Sequence, residues 1–194
     1  MSYAAKDFSF LLGMPGFSDT LLKNHFTLYQ GYVNNTNKVM ELLTGLVKDG
    51  KEGTPEFAEL KRRLGWEFNG MRLHELYFGN LGGDGDMSKA SKLMKRVTEQ
   101  FGSPELCAKD FIATASMRGI GWVILYEDVE SGMLFNQWIN EHDVGHPAGC
   151  KPILIIDVFE HAFMIDYGLK RADYIASFFK NVKWEVADQR LGTT

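Results

Sequence analysis

The sequence has little cysteine and no long apolar run. Its two cysteines, Cys107 and Cys150, are far apart and form no CxxC pair. This argues against a cysteine-ligated metal or redox site, and we expect a reduced, cytoplasmic compartment. No apolar stretch reaches the roughly 20 residues that a membrane helix needs. Residues 1–7 also lack the pattern of a secretory signal.

The chain also lacks an excess of positive charge. Its 21 Lys and Arg residues against 25 Asp and Glu residues give a formal net charge of −4, which argues against a dedicated nucleic-acid-binding protein. Hydrophobic residues make up 45% of the 194 positions, which is enough for a packed core. We therefore expect a globular protein with no nucleic-acid and no membrane partner.

The first part of the chain has the three- and four-residue apolar spacing of amphipathic helices. Ser18 or Asp19 can cap a helix that continues to Val47, and the segment 49–55 interrupts the pattern. The glycine-rich segment 82–85 is a second stop. Further helices are predicted at residues 56–64, 71–81, 87–101 and 104–117.

The pattern then changes from helices to strands. The hairpin-turn segment 130–132 separates the first two of three predicted strands. The strands are predicted at residues 121–127, 133–139 and 153–158, and short helices at 173–179 and 184–191. Helices followed by strands indicate an α+β fold, not the alternation of a parallel sheet. We expect two domains, residues 1–84 and 85–194.

The third strand ends in an acid. Asp157 follows the apolar run Ile153–Ile156, and His161 lies four residues further on. Burying an ionised Asp is unfavourable unless a cation or a dense set of hydrogen bonds compensates it, and a metal ion is the simplest compensation. One Asp together with histidines suits iron, manganese or zinc better than calcium or magnesium.

The chain has five histidines, so each can be considered in turn: His25, His74, His142, His146 and His161. His25 shares a helical face with Tyr29 and Tyr32, and His74 lies mid-helix among apolar residues. Any one of them alone could be an ordinary packed or surface histidine. Taken together, four residues are candidate metal ligands: His25, His74, Asp157 and His161. Four ligands leave an open position for chemistry.

Segment 152–167, PILIIDVFEHAFMIDY, resembles the iron/manganese superoxide dismutase signature DxWEHAxY. Shorter segments resemble other motifs of that family: KRADY at 170–174, NVKWE at 181–185, GIGW at 119–122, HELYF at 74–78 and YVNN at 32–35. The resemblance covers nearly the whole chain. It implies an N-terminal helical hairpin domain, then an α+β domain with a three-stranded antiparallel sheet, and one iron or manganese ion per chain between them.

The resemblance carries three ligands over directly: His74, Asp157 and His161. The first ligand is ambiguous, because in the family it lies eight residues before the active-site Tyr. His25 lies seven before Tyr32, and Asn24 occupies the ungapped position. We expect His25 to be the ligand, because imidazole binds these metals better than an amide does.

Other positions depart from the family pattern. Phe159 replaces a Trp of the signature, Tyr29 replaces an active-site His, and Met164 replaces the Tyr that pairs with that His across the dimer interface. His142 lies where manganese enzymes have a Gln, and some members have His there. Gly70 lies where iron enzymes often have a Gln. His142 is expected to tune the potential of the metal.

The function implied is that of an antioxidant oxidoreductase, a superoxide dismutase that converts superoxide to dioxygen and hydrogen peroxide by alternate reduction and oxidation of the metal. Tyr32 and His142 are the expected catalytic residues. Five residues are expected around the ligands: Trp122, Phe159, Glu160, Arg171 and Tyr29. Trp184 would add to the dry wall of the site. A homodimer or tetramer is expected, in which Glu160 of one subunit bonds to His161 of the next.

Two other interpretations remain open. A catalytically silent metal-binding or scaffold relative would keep the fold without the activity. An unrelated hydrolytic metal enzyme would need a carboxylate as general base beside the metal, and Glu160 is the candidate for that role.

Overall fold

The computed structural model describes residues 2–192. Two long helices form a hairpin in its first half. Helix α1, Asp19–Lys48, begins at Ser18, whose side chain accepts a hydrogen bond from the Leu21 N–H. Helix α2, Pro55–Gly79, begins at Thr54 in the same way, with proline at its first position. The predicted cap at Ser18 is therefore confirmed.

Helix α2 corrects one prediction, since it runs without a break through the segment expected to separate two helices. Gly65 and Gly70 lie in its middle and serve as close-packing positions. A Cβ at Gly65 would lie 3.4 Å from the side chain of Asp143, and one at Gly70 would lie 2.5 Å from the ring of Tyr32. The helix ends at Gly79, before the glycine-rich segment, and the side-chain amide of the next residue, Asn80, donates to Tyr77 O at 2.9 Å and to Ile155 O at 2.8 Å.

The remaining helices are shorter, and most agree with prediction: α3 Ser91–Phe101, α4 Pro104–Ala115, α5 Met164–Tyr167, α6 Arg171–Lys180 and α7 Trp184–Arg190. The α3 helix begins four residues later than predicted, because a 3-10 turn at Met87–Lys89 precedes it. Helix α5 and the 3-10 turns Ser9–Leu11 and Glu160–Ala162 were not predicted, since they are too short to show a period.

Three antiparallel strands form one sheet in the order β2-β1-β3. They are β1 Trp122–Asp128, β2 Leu134–Ile139 and β3 Cys150–Asp157. The predicted α+β fold is thus confirmed. In the register, the first residue of β1, Trp122, pairs with Ile139 at the end of β2 and with Asp157 at the end of β3. This end of the sheet faces the helical hairpin.

One hydrophobic cluster runs through both halves of the chain, and includes Phe78 of α2, Trp122 of β1, Ile155 of β3 and Phe178 of α6. The division into domains 1–84 and 85–194 stays a prediction. None of the helices in residues 2–192 is long and apolar enough to cross a membrane.

We predict that Gly121→Ala destabilises the protein. Gly121 has φ +126°, and a Cβ there would lie 1.9 Å from the Ile139 carbonyl oxygen. The strain should lower the free energy of unfolding by roughly 1–3 kcal/mol or more. Urea unfolding measures it, with Gly53→Ala as control, because a Cβ at Gly53 meets nothing within 4 Å. Equal stability of the two variants would contradict the close approach seen at Gly121.

Candidate metal centre

Four side chains, each from a different element of the fold, converge on one point. His25 comes from α1, His74 from α2, Asp157 from the end of β3, and His161 from the 3-10 turn that follows. Each residue offers one ligand atom, and these four atoms all lie within 4.8 Å of one another. Asp157 Oδ2 lies 3.0 Å from Nε2 of His161, 3.2 Å from that of His25 and 3.7 Å from that of His74. The structure brings together all four predicted ligands.

Two buried nitrogens in this cluster have no hydrogen-bond partner: Nε2 of His25 and Nε2 of His74. The His74 tautomer is fixed, because its Nδ1 lies 2.6 Å from Gly70 O and a carbonyl only accepts. The proton is therefore on Nδ1, and Nε2 presents a lone pair to the cluster. Unpaired buried polar atoms are unfavourable unless something binds them. The lone pair of His74 and the unpartnered Nε2 of His25, both beside a carboxylate, fit a cation of the iron or manganese class.

Asp157 is fully buried, and its position is determined by hydrogen bonds. Its Oδ1 accepts from the Phe159 N–H at 2.8 Å, which leaves Oδ2 directed at the three histidines. Its carbonyl accepts from the Tyr174 hydroxyl at 2.7 Å, and Tyr174 in turn bonds to the Tyr77 hydroxyl at 3.0 Å. These hydrogen bonds hold the carboxylate of Asp157 in one position at the end of strand β3.

The charges in the cluster favour an ionised acid beside two neutral imidazoles. Burial opposes ionisation, but His161 and His25 hold the pKa of Asp157 well below its usual range. Burial lowers the pKa of His25 and that of His74, so both rings stay neutral. Against the effect of burial, Asp157 raises the pKa of His161, so a metal bound there would displace the proton of that ring.

The geometry favours His25 over Asn24 as the first ligand. His25 is 3% exposed and faces the cluster, whereas Asn24 is exposed to solvent. Helix α1 is regular α-helix throughout residues 19–48, so no helical bulge turns Asn24 inward. This agrees with the expectation of a seven-residue spacing between His25 and Tyr32.

Tyr32 and His142 form a hydrogen-bonded pair beside the ligands. The Tyr32 hydroxyl lies 2.7 Å from His142 Nε2, and the Tyr32 ring stacks on His74 with 5.2 Å between centroids. The indole N–H of Trp122 donates to His142 Nδ1 at 3.0 Å. Because indole is only a donor, Nδ1 is unprotonated in this bond, and neutral His142 donates from Nε2 to the Tyr32 oxygen.

Burial explains the protonation states of this pair. It lowers the pKa of His142 to about 4, so the ring is neutral near pH 7. Burial, with the nearby charge of Asp157, raises the pKa of Tyr32 to about 12, so the phenol keeps its proton. The Tyr32 hydroxyl can thus donate its proton to another group while its oxygen accepts a hydrogen bond from His142 Nε2.

Gly70 explains how His142 and Tyr32 come to lie beside the ligands. Any side chain at Gly70 would overlap the Tyr32 ring, whose Cδ1 lies 2.5 Å from an ideal Cβ there. The ring of Tyr32 therefore occupies the space that a larger residue on α2 would take. The polar group beside the ligands comes instead from the segment that follows β2.

Phe159 and Trp122 both pack on histidines of the cluster or next to it, where an apolar wall was predicted. Phe159 stacks on His161 with 5.4 Å between centroids and lies 4.9 Å from His142. Trp122 meets His74 edge to face at 5.0 Å. The prediction for Trp184 was wrong, because helix α7 carries it to the opposite side of the sheet, where it packs on Phe179.

Tyr29 and Arg171 do not reach the ligands through their polar atoms. The Tyr29 hydroxyl donates to Glu75 Oε1 at 3.0 Å, and this bond links the two helices that carry His25 and His74. The Arg171 guanidinium bonds to backbone carbonyls, among them Gly119 O at 2.6 Å. Arg171 therefore braces the segment before β1.

Two residues of helix α2 with buried contacts, Trp66 and Glu75, were not predicted from the sequence. Trp66 packs on the ring of His142 with 4.6 Å between centroids, and the Glu75 carboxylate is buried beneath Tyr29. Helical spacing was the available signal for Trp66, because it shares a face with Gly70 and His74 at intervals of four. Glu75 gave no such signal, since an acid mid-helix is usually exposed.

Comparison with known proteins agrees with this geometry. Residues 89–190 match the family described as iron/manganese superoxide dismutases, C-terminal domain. An iron superoxide dismutase of Aquifex pyrophilus is 36% identical over 185 residues, 92% of this chain and 85% of that protein. One of Saccharolobus solfataricus is 35% identical over 182 residues, 91% and 86% of the two chains. A manganese superoxide dismutase of Haloferax volcanii is 36% identical over 172 residues, 88% and 85%.

A helical hairpin joined to a three-stranded sheet, with three histidines and an aspartate between them, defines a metalloprotein of the α+β class. With matches that span nearly the whole chain, the protein belongs to the iron/manganese superoxide dismutase family.

We predict that His25→Ala lowers the bound metal well below one ion per chain, because it removes a buried imidazole that points at the other ligands. Asn24→Ala is the matched control, since Asn24 is one residue away and exposed. Metal analysis of both purified variants measures the difference. Full occupancy in His25→Ala, or loss of metal in Asn24→Ala, would contradict the choice of His25.

Proposed function

We propose that the protein is a superoxide dismutase that uses one iron or manganese ion, held by His25, His74, Asp157 and His161. The observation that carries this proposal is the convergence of two unpaired imidazole nitrogens on the buried carboxylate of Asp157. The family supplies the reaction: superoxide is converted to dioxygen and hydrogen peroxide. When bound, the ion supplies the one-electron oxidation and reduction that this conversion needs.

The ligand set favours an anionic substrate. Three neutral imidazoles and one carboxylate carry a single negative charge, so the site keeps net positive charge when a divalent or trivalent ion is present. The aromatic wall of Trp122 and Phe159 lowers the local dielectric and strengthens that attraction. A small anion is therefore drawn to the site although the whole chain is acidic.

Tyr32 donates a proton in the reaction, and His142 stabilises the phenol oxygen as the proton leaves. Peroxide formation consumes two protons, and the phenol of Tyr32 is a donor whose oxygen is already held by His142 Nε2. His142 stabilises the phenol oxygen as its proton leaves, because the Nε2–H already points at that oxygen. Trp122 keeps His142 in the tautomer that can do so.

An assay of the purified, metal-loaded protein tests the proposal. Superoxide removal that depends on iron or manganese would support it. A protein with full metal and no activity would favour the silent scaffold alternative. The hydrolytic alternative gains nothing from the geometry, because Glu160 is exposed and its carboxylate makes no contact with the cluster in residues 2–192.

We predict that His142→Ala keeps its metal but dismutates superoxide about 10- to 100-fold more slowly, the usual effect of removing a group that orients a metal site. The metal's reduction potential should shift as well. His142→Gln, which retains a donor, should lose less activity than His142→Ala. If His142→Ala kept full activity and potential, His142 would have no catalytic part.

We also propose that the protein is a homodimer or a dimer of dimers built around Glu160 and His161. The Glu160 carboxylate is exposed and has no partner among the described residues. Exposed apolar side chains lie near it in sequence or in the adjoining surface groove: Met117, Ile120, Met164, Ile165 and Leu169. A two-fold contact would let each Glu160 accept a hydrogen bond from the imidazole of the partner's His161.

Sedimentation should give a dimer or tetramer at micromolar concentration, and we predict that Glu160→Ala shifts it towards monomer. Glu130→Ala is the control, because Glu130 is an exposed acid in the β1–β2 turn. A wild-type monomer, or no difference between the variants, would count against this interface. We further propose a cytoplasmic location, which the two free cysteines support.

A further inference from the structure

We infer that His146, the one histidine outside the reaction described above, is a positioning residue that holds His142 against Tyr32. The inference rests on the proposed function, because it concerns how His142 is placed for that reaction. Its basis is a relay of two hydrogen bonds from Tyr126 of strand β1, through the ring of His146, to the backbone carbonyl of His142.

The directions of the two bonds follow from their atoms. His146 Nε2 lies 2.7 Å from His142 O, and a carbonyl only accepts, so Nε2 carries the proton. In the neutral ring, Nδ1 is then an acceptor. The Tyr126 hydroxyl, 2.6 Å away, donates to it. The relay therefore runs in one direction, from the strand to the loop.

Few backbone hydrogen bonds hold the loop, and most of its contacts are made by side chains. Residues 140–149 join β2 to β3 without regular secondary structure, and the segment 143–145 is exposed. The backbone bonds that this loop makes lie at its far end, at Pro147 and Gly149. Among residues 2–192, the carbonyl of His142 therefore receives its hydrogen bond from the side chain of His146 and none from a backbone N–H.

Strand β1 holds His142 at two points through this arrangement. Trp122 and Tyr126 are four residues apart, and side chains alternate along a strand, so they lie on one face. Trp122 donates to the ring of His142, and Tyr126 acts through His146 on its carbonyl. Both ends of the residue are fixed to the same rigid element, as a preorganised site requires.

The position of the His142 backbone matters because the Tyr32–His142 hydrogen bond forms only over a narrow range of distances. Its 2.7 Å length would be lost by a backbone shift of about 1 Å, since hydrogen bonds of this kind weaken beyond roughly 3.2 Å. Releasing the carbonyl of His142 permits such a shift while leaving every metal ligand in place.

The experiment compares metal-loaded His146→Ala and His146→Gln with wild type. Glutamine can donate to the carbonyl and accept from Tyr126, so it should restore what alanine loses. Tyr126→Phe removes only the first bond of the relay. Val144→Ala is the control, because Val144 is an exposed residue of the same loop, 51% accessible. The measurements are metal content, kcat and KM, the metal's reduction potential, and hydrogen exchange of residues 140–149.

We expect His146→Ala to keep its metal and to show faster hydrogen exchange in residues 140–149. The reduction potential of the metal should shift, and kcat should fall on the order of 10-fold, the lower end of the effect of removing a group that orients a metal site. His146→Gln should recover most of this, and Val144→Ala should match wild type. If His146→Ala fails to fold, Tyr126→Phe provides the test, because it removes only the bond from Tyr126 to His146. It should then show a smaller loss of kcat and a smaller increase in loop exchange, and unchanged values would overturn the inference.

Unchanged kcat, potential and loop exchange in His146→Ala would overturn the inference, and so would a variant that changes only in melting temperature. An inactive wild type would instead overturn the proposed function. The potential and the exchange rates would still report on His146 in that case, so the two failures are distinguishable.

Discussion

The carboxylate of Asp157 is the constraint on which the rest of the structure depends. A fully buried, ionised acid is unfavourable in an apolar interior unless a cation and hydrogen bonds compensate it. One oxygen is satisfied by the backbone after the strand, and the other faces three imidazoles. Two of those rings, His25 and His74, have nitrogens left without a partner, so the arrangement is complete only with a cation.

The helical hairpin and the sheet each contribute side chains to the cluster around Asp157. The helical hairpin supplies His25 and His74 from facing positions, and the Tyr29–Glu75 bond links its two helices close to those ligands. The sheet supplies Asp157 at the end of an edge strand, with Trp122 paired beside it. The candidate metal centre therefore joins the two halves of the chain, and its geometry depends on their packing.

Most of the fold, and the four side chains that meet in the candidate metal centre, could be predicted because their signals are local. The apolar run before Asp157, the helix cap at Ser18 and the hairpin turn at residues 130–132 each follow from neighbouring residues. The continuity of α2 could not be predicted in this way. Gly70 reads as a weak helical position in sequence, and only the Tyr32 ring packed against it explains why it is there.

What sequence could not supply were contacts between distant elements. Trp184 looked like a wall residue because it lies in a family motif, yet helix α7 carries it away from the ligands. Tyr29 lies one turn from His25, but its hydroxyl turns to a buried acid on the other helix. Such outcomes depend on which rotamers the packed core permits, and spacing along the chain does not determine that.

Anomalous scattering from crystals of the purified protein, recorded at the iron and manganese absorption edges, tests the central claim most directly. We expect one peak per chain, bounded by Nε2 of His25, His74 and His161 and by Oδ2 of Asp157. A cluster without a peak at either edge, with Asp157 still buried, would contradict it. So would a peak whose ligands leave out His25.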